Sequence, residues 1–189
     1  MNKRRQALIV VDVQNDFCPG GTLAVPRGDE VVAPLNQQIE KFLARDEPVY
    51  KTRDWHPPVT KHFAEYGGSW PIHCVQNTSG AQFHPALKDD PRIGVISKGL
   101  GDKDSYSAFD DTDLASQLHQ QGVEEVVVGG LATDYCVKNT VLDALKNGFK
   151  VKALENAMRA VDLQLGDGER AIEEMRAAGA KIVSTESTD

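Results

Sequence analysis

The sequence predicts an α/β fold in which a mainly parallel β-sheet is covered by helices on both faces. Short apolar runs rich in β-branched residues alternate along the chain with segments of helical periodicity. Gly122, Gly148 and Gly179 each follow a helical segment, where a left-handed C-terminal cap favours glycine. Such alternation is typical of three-layer, doubly wound folds. The 189 residues are expected to form one domain, residues 1–189.

Each predicted element has its own signal along the chain. The first strand is the apolar run ALIVVDV, and a helical pattern over residues 30–46 leads to a second strand, PVYKTR. After a long irregular section come the strand IGVISK, a helix over 113–121 and the strand EEVVVGG, whose valine run is typical of a buried strand. In the helix predicted over 133–147, Val137, Val141 and Leu145 recur on one face. The strand FKVKAL, a helix over 167–178 and the strand KIVS follow.

Composition and charge exclude several classes of partner. The net charge of -7 argues against nucleic acid or an anionic membrane surface. No apolar run approaches the ~18 residues that cross a bilayer, and no signal peptide precedes the first strand, so a cytoplasmic location is expected. The three cysteines are too few and scattered for a disulfide framework. A homo-oligomer is compatible with the sequence.

Residues at the predicted strand ends point to one site. In open α/β sheets, ligands bind beyond the carboxyl ends of the strands. Asp12, Asp54, Lys98 and the turn 129–136 all follow or end such strands. The irregular segment 54–92 holds four of the five histidines and both tryptophans, and irregular segments of this length are often functional. We expect these groups to converge at one edge of the sheet.

Cys136 lies where a predicted strand passes into a helix, in the stretch GGLATDYCVKNT. The amides and the dipole at the start of a helix favour a thiolate there, so Cys136 is a candidate nucleophile. The alternative is a small buried residue with an inert thiol. Thr133 or Asp134 is expected to serve as the N-cap of the helix.

A nucleophilic thiol needs a group that takes and returns protons, and no histidine lies at a predicted strand end. Asp12 interrupts the apolar run LIVVDVQ, and Lys98 follows GVIS. Either residue alone could be a loop cap or an ion-pair partner. Together beside Cys136 they form a candidate triad, in which the aspartate moves the proton and the lysine orients it and stabilises negative charge.

A second group of residues has the composition of a metal site. Asp54 and His56 form an Asp-x-His motif, which places both side chains on one side of an extended backbone, and His62 and His73 follow. A carboxylate with two or three imidazoles suits zinc, ferrous iron or manganese. A histidine-rich surface loop would give the same pattern. His84 and His119 lie outside this grouping and are interpreted as structural.

These motifs resemble those of the nicotinamidases, which belong to the isochorismatase-like cysteine hydrolases. The resemblance runs from about residue 7 to residue 183 and is carried by DVQNDFCPGGTLAVPRGDEVV, TRDWHPP, HFAEYGGSWPIHCVQNTSGAQFHPAL, VISKG and GLATDYCVKNTVLDAL. It implies the isochorismatase-like hydrolase fold and hydrolysis of nicotinamide to nicotinate and ammonia through a cysteine thioester. It also implies a place in NAD salvage and activity on pyrazinamide.

The resemblance assigns roles to residues that match the family motifs. The implied catalytic triad is Asp12, Lys98 and Cys136. The implied ligands of one divalent transition metal ion (zinc, iron or manganese) are Asp54, His56 and His73, with His62 at a position that is a ligand in some members and is replaced by solvent in others.

The resemblance also implies a substrate pocket and an oxyanion hole. Its aromatic walls would be Phe17, Trp70 and Tyr106, with Leu131 beside them; the alternative for the aromatic residues is core packing. A cis peptide bond is implied between Leu131 and Ala132, and the backbone amides of Ala132 and Cys136 would face the developing oxyanion.

Three other functions are compatible with parts of this pattern. One is a related hydrolase that acts on another amide or a carbamoyl group. The second is a metal-binding or interaction protein that has lost catalysis, and the third is a redox-sensing thiol protein. The metal motif and Trp70 favour the nicotinamidase resemblance over the first, and the presence of both Lys98 and Cys136 favours it over the second. The third function lacks support, because the sequence offers no obvious resolving partner for Cys136.

Overall fold

The computed structural model describes residues 4–102 and 105–188, and its strands form one six-stranded parallel sheet. The strands are β1 (Gln6–Val11), β2 (Val49–Asp54), β3 (Gly94–Lys98), β4 (Glu125–Leu131), β5 (Lys150–Arg159) and β6 (Lys181–Val183). Their order is β3-β2-β1-β4-β5-β6, and every neighbouring pair is parallel. The order reverses between β1 and β4, which confirms the predicted doubly wound α/β fold.

Helices cover both faces of this sheet. They are α1 (Val32–Ala44), α2 (Leu114–Gln120), α3 (Lys138–Lys146) and α4 (Asp167–Ala177). Alternate residues of β1 point to opposite faces: Leu8 packs in the apolar cluster that contains α1, and Ile9 in the cluster that contains residues of the other three helices. Burial of both faces explains why the strands are apolar runs. None of the described helices is long and apolar enough to cross a membrane.

Three predicted elements differ from the observed ones at their ends. The segment predicted as a helix over 30–46 begins with a 3-10 turn, Gly28–Val31, before α1. The helix predicted over 133–147 begins with a π-helical turn, Thr133–Val137, before α3. Strand β5 extends beyond FKVKAL to Arg159, because a register shift between Val128 and Gly130 lets the end of β4 pair with it again.

Gly130 of β4 pairs with Val11, the last residue of β1. Its φ is +131°, and a Cβ atom there would lie 2.1 Å from the carbonyl oxygen of Val11. Such a contact requires the backbone of one strand to move. Only glycine therefore permits this approach of the two central strands.

We expect Gly130→Ala to lower the free energy of unfolding by about 3 kcal/mol or more, since strain and a backbone clash add together. Gly122→Ala is the matched control: Gly122 also has a positive φ, +69°, but its Cβ would have nothing within 4 Å. That variant should lose about 1 kcal/mol. Urea denaturation of both variants measures the difference, and equal losses would contradict this account.

Candidate active site

Four neighbouring strands, β3, β2, β1 and β4, end at the same edge of the sheet and bring the predicted site residues together. Lys98 is the last residue of β3 and pairs in register with Asp54, the last residue of β2. Asp12 directly follows β1, and Cys136 lies in the π-helical turn after β4. The convergence expected from the sequence is therefore present, at the reversal of strand order where open α/β sheets bind ligands.

The ammonium group of Lys98 lies at the centre of this convergence. Its Nζ is 2.8 Å from Oδ2 of Asp12, 2.5 Å from Oδ1 of Asp54 and 3.5 Å from Sγ of Cys136. It also donates a hydrogen bond to the carbonyl oxygen of Ser105 at 3.1 Å. Burial alone would lower the pKa of Lys98, but the two carboxylates raise that pKa well above its usual value. Lys98 is therefore charged at neutral pH.

Asp12 is held in an unusual backbone conformation by Thr52 on β2. The φ of Asp12 is +48°, in the left-handed region. Its backbone N–H is 3.2 Å from both the carbonyl oxygen and the hydroxyl oxygen of Thr52. The Thr52 hydroxyl donates in turn to Oδ1 of Asp12 at 2.6 Å. Burial raises the pKa of Asp12 although Lys98 opposes the rise, which makes this carboxylate a stronger base.

Cys136 is a buried thiol that lines a cleft, with only 6% of its surface exposed. Burial raises its pKa well above the usual value, and the nearby charge of Lys98 only partly offsets this. The resting thiol therefore differs from the expectation that the helix start would favour a thiolate, because burial and the carboxylates of Asp12 and Asp54 favour the protonated form. A base is needed to deprotonate this sulfur.

The expected N-cap is also absent from the turn around Cys136. Neither Thr133 nor Asp134 makes a side-chain capping hydrogen bond. The buried Asp134 carboxylate instead accepts the backbone N–H groups of Val161 and Asp162, each at 2.9 Å. It therefore connects the turn to the segment after β5. The peptide bond between Leu131 and Ala132, just before the turn, is cis as expected.

The cleft above Cys136 is mainly apolar and aromatic. It measures about 390 Å³ including its open mouth. Its lining residues are Phe17, Leu23, Val25, Asp54, His62, Trp70, His73, Tyr106, Ala132, Tyr135, Cys136 and Val161. Phe17, Trp70 and Tyr106 thus line the cleft rather than packing only in the core. Leu131 does not line it, because its fully buried side chain packs in the apolar cluster beneath.

Tyr135 is a wall residue that the sequence reasoning missed. Its ring centroid is 4.9 Å from that of Trp70 and 5.7 Å from that of Tyr106. The indole N–H of Trp70 donates to the hydroxyl oxygen of Tyr106 at 2.8 Å. The three aromatic residues therefore form one connected wall. The only feature of the sequence that indicates a role for Tyr135 in the cleft is its position next to Cys136.

Three buried histidines adjoin the cleft. One ring nitrogen from each of His56, His62 and His73 lies within 4.8 Å of the others. Nδ1 of His56 lies 3.0 Å from the carbonyl oxygen of Gly99, and Nδ1 of His73 lies 2.7 Å from that of Pro71. Because a carbonyl can only accept, each Nδ1 donates and leaves the Nε2 lone pair for a metal.

The chemistry of this donor set fits a divalent transition metal. Nε2 of His56 is buried and has no hydrogen-bond partner among residues 4–102 and 105–188, and Oδ2 of Asp54 is 3.7 Å from it and 4.0 Å from Nε2 of His73. Burial lowers the pKa of His73 to about 4, so this imidazole is neutral and able to coordinate. Burial alone would raise the pKa of Asp54, but Lys98 and the histidines lower it below its usual value. An ionised carboxylate with neutral imidazoles is a typical transition-metal donor set.

Two buried polar residues that the sequence reasoning missed hold these ligands in place. Gln14 accepts the backbone N–H of Asp54 at 2.8 Å and donates to the carbonyl oxygens of Asp54 and Ala81. Asp16 accepts the N–H of Cys74, the residue after His73, at 2.7 Å. Both lie in the stretch DVQND, whose polar residues directly follow a buried strand. That position was the available signal.

The remaining two histidines lie outside the cluster, as predicted. Nδ1 of His84 accepts the N–H of Ala86 at 3.2 Å. The ring of His119 stacks on Phe149 with centroids 4.5 Å apart. Both contacts are structural.

Comparison with known proteins identifies one family model and several similar proteins that agree with it. A model of the isochorismatase domain matches residues 6–187. The nicotinamidase of Escherichia coli K12 is 44% identical, covering 94% of this chain and 93% of its own. The crystal structure of the pyrazinamidase of Pyrococcus horikoshii in complex with zinc is 48% identical, with a TM-score of 0.91 over 95% of this chain and 99% of that one. PnC1 from L. infantum, in complex with nicotinate, is 38% identical, with a TM-score of 0.89 over 97% and 94%.

The carbonyl that orients His56 belongs to a residue that must be glycine. Gly99 has a φ of +68°, and a Cβ atom there would lie 2.5 Å from Cε1 of His56 and 2.8 Å from Nδ1. We expect Gly99→Ala to displace the imidazole and to weaken the affinity of this candidate metal site, probed with zinc, about 10- to 100-fold, as changes to the support of metal ligands do.

Gly101→Ala is the matched control, since a Cβ at Gly101 would have nothing within 4 Å. Competition titration of each metal-free variant against a chelating indicator measures the affinity. Equal zinc affinities for the two variants would contradict the role given to Gly99.

Proposed function

The chain belongs to the nicotinamidases of the isochorismatase family, and from that premise we propose that it hydrolyses nicotinamide to nicotinate and ammonia. The observation that carries the proposal is the position of the Cys136 thiol. It lines an aromatic-walled cleft and lies beside the buried Asp12–Lys98 ion pair. A nucleophile, a base and a site for a flat ring are thus adjacent. The reaction would serve NAD salvage.

The first half of the reaction forms a thioester. Asp12 accepts the proton of the Cys136 thiol as the sulfur attacks the carboxamide carbon. Negative charge develops on the amide oxygen, and the backbone N–H groups of Ala132 and Cys136 are proposed to stabilise it. The tetrahedral intermediate collapses as Asp12 passes its proton to the leaving nitrogen. Ammonia departs and the nicotinoyl group remains on sulfur.

The second half returns the free enzyme. Asp12 takes a proton from a water molecule, which attacks the thioester carbonyl, and nicotinate leaves as Cys136 regains a proton. The raised pKa of Asp12 supports both proton transfers, because a stronger base is better matched to a thiol or a water. Lys98, 3.5 Å from the sulfur, stabilises the negative charge that forms there.

The proposed metal site is formed by Asp54, His56 and His73, with His62 as a further ligand. A bound zinc, iron or manganese ion would supply a Lewis-acidic centre that orients the ring of the substrate. Asp54 and His73 line the same cleft as Cys136, so ring binding and attack are proposed to take place in one space. The donor chemistry does not distinguish among these metals.

The aromatic wall favours a planar ring over the substrates of related hydrolases. Phe17 lies on the side of His73, with ring centroids 5.5 Å apart. Trp70, Tyr106 and Tyr135 form the connected wall described above. Flat aromatic amides, including pyrazinamide, gain stacking contacts in such a cleft that aliphatic amides and carbamoyl compounds do not.

Ammonia release from nicotinamide tests the proposal, with added zinc, iron or manganese in parallel. The parent protein should release ammonia and Cys136→Ala should release none above background, because no other thiol faces the cleft. Cys18→Ala is the matched control: this thiol is buried outside the cleft and its pKa is raised to about 11. Equal release by parent and Cys136→Ala would rule out the nucleophile, and release by neither would favour another amide or carbamoyl substrate.

Thr52 is expected to position the base. Thr52→Val keeps the shape of the side chain but removes the hydroxyl that donates to Asp12. We expect kcat to fall about 10-fold or more with little change in KM, since the base moves out of reach of the thiol. Thr52→Ser restores the donor and should keep most of the activity. Steady-state kinetics of both variants measure this, and equal activity would show that the hydroxyl does not matter.

A further inference from the structure

Asp54 is shared by two adjacent groups of potential metal ligands. Its Oδ2 faces the histidines, 3.7 Å from Nε2 of His56, whereas its Oδ1 faces Lys98. On the Lys98 side, the ligand atoms of Asp12, Asp54 and Cys136 all lie within 4.8 Å of one another, and all three residues are buried. The chain therefore has a second donor set directly beside the proposed metal site.

This second donor set would also suit a transition metal. A thiolate with two carboxylates binds zinc and other divalent first-row transition metals well. A thiol that coordinates such a metal ion loses its proton. Binding there would occupy the lone pairs of Cys136 that are needed for attack on a substrate. A metal on this side would thus inactivate the nucleophile.

The ammonium of Lys98 already occupies the centre of this donor set. Its Nζ lies 2.8 Å from Asp12, 2.5 Å from Asp54 and 3.5 Å from Cys136, and the side chain is fully buried. An ammonium is a compact point charge with three donors. It neutralises part of the charge of the two carboxylates in a space that a metal ion would otherwise take.

We propose that Lys98 excludes the transition metal from Cys136 and so confines it to the histidine side of Asp54. This role is additional to charge stabilisation in the reaction, and it rests on the assignment of the two sites under the proposed function. With Lys98 present, an incoming dication meets a fixed positive charge. With a neutral side chain there, the dication would meet the Asp12 and Asp54 carboxylates and the Cys136 thiol with no ammonium between them.

Cobalt(II) titration of the metal-free protein tests this role, because a cobalt–thiolate bond has a charge-transfer absorption in the near ultraviolet. The parent should bind one equivalent without that absorption. Lys98→Met should bind a second equivalent of cobalt and show the cobalt–thiolate absorption. The double variant Lys98→Met/Cys136→Ala should lack this absorption. Lys51→Met is the matched control, since Lys51 is also buried but pairs with Asp89, away from the site. It should behave as the parent.

The proposal is overturned if Lys98→Met binds one equivalent without the thiolate absorption, or if the parent itself shows that absorption. A measurement on the parent keeps the test decisive even if Lys98→Met does not fold. Iodoacetamide should alkylate Cys136 at the same rate with and without excess cobalt, and a rate lowered several-fold by cobalt would overturn the proposal. None of these readouts requires turnover of nicotinamide, so a failure of the proposed function is scored separately by ammonia release.

Discussion

A positive charge buried between two carboxylates is the interaction on which the site depends. Removal of an ammonium and two carboxylates from water costs several kcal/mol per ion, and only close, complete pairing offsets it. Lys98 achieves this with Asp12, Asp54 and the carbonyl oxygen of Ser105. The register of β2 and β3 places Asp54 opposite Lys98, and β1 places Asp12 beside both. The proposed catalytic and metal-binding residues therefore share one network of charges.

The centre of this network can be predicted from the sequence, because its charged residues interrupt or end apolar runs. Asp12 and Lys98 are charged residues at the ends of apolar runs, and the carboxyl ends of parallel strands meet at one edge of a sheet. Asp54 and His56 are two residues apart at a strand end, and they do face each other. Strand and helix alternation likewise predicts the doubly wound sheet. In each case the signal lies within a few consecutive residues. The parallel arrangement of the strands then brings these residues together at one edge of the sheet.

Other features depend on neighbours that are distant in sequence, and the sequence did not reveal them. Thr52 and Gln14 matter because of the side chain or backbone that each contacts across a strand. Leu131 was expected beside the substrate, but the end of β4 directs its side chain into the core. The raised pKa of Cys136 also differs from expectation, because its position at a helix start is visible in the sequence whereas the extent of its burial is not.

The central claim is that Cys136 forms a covalent bond to the substrate with Asp12 as the base. Rapid acid quenching of the protein during turnover of nicotinamide, followed by peptide mass spectrometry, tests it most directly. The account predicts a nicotinoyl group on the peptide that contains Cys136 and on neither of the peptides that contain Cys18 and Cys74. Ammonia release without any such adduct, under conditions in which hydrolysis of the thioester is the slow step, would contradict it.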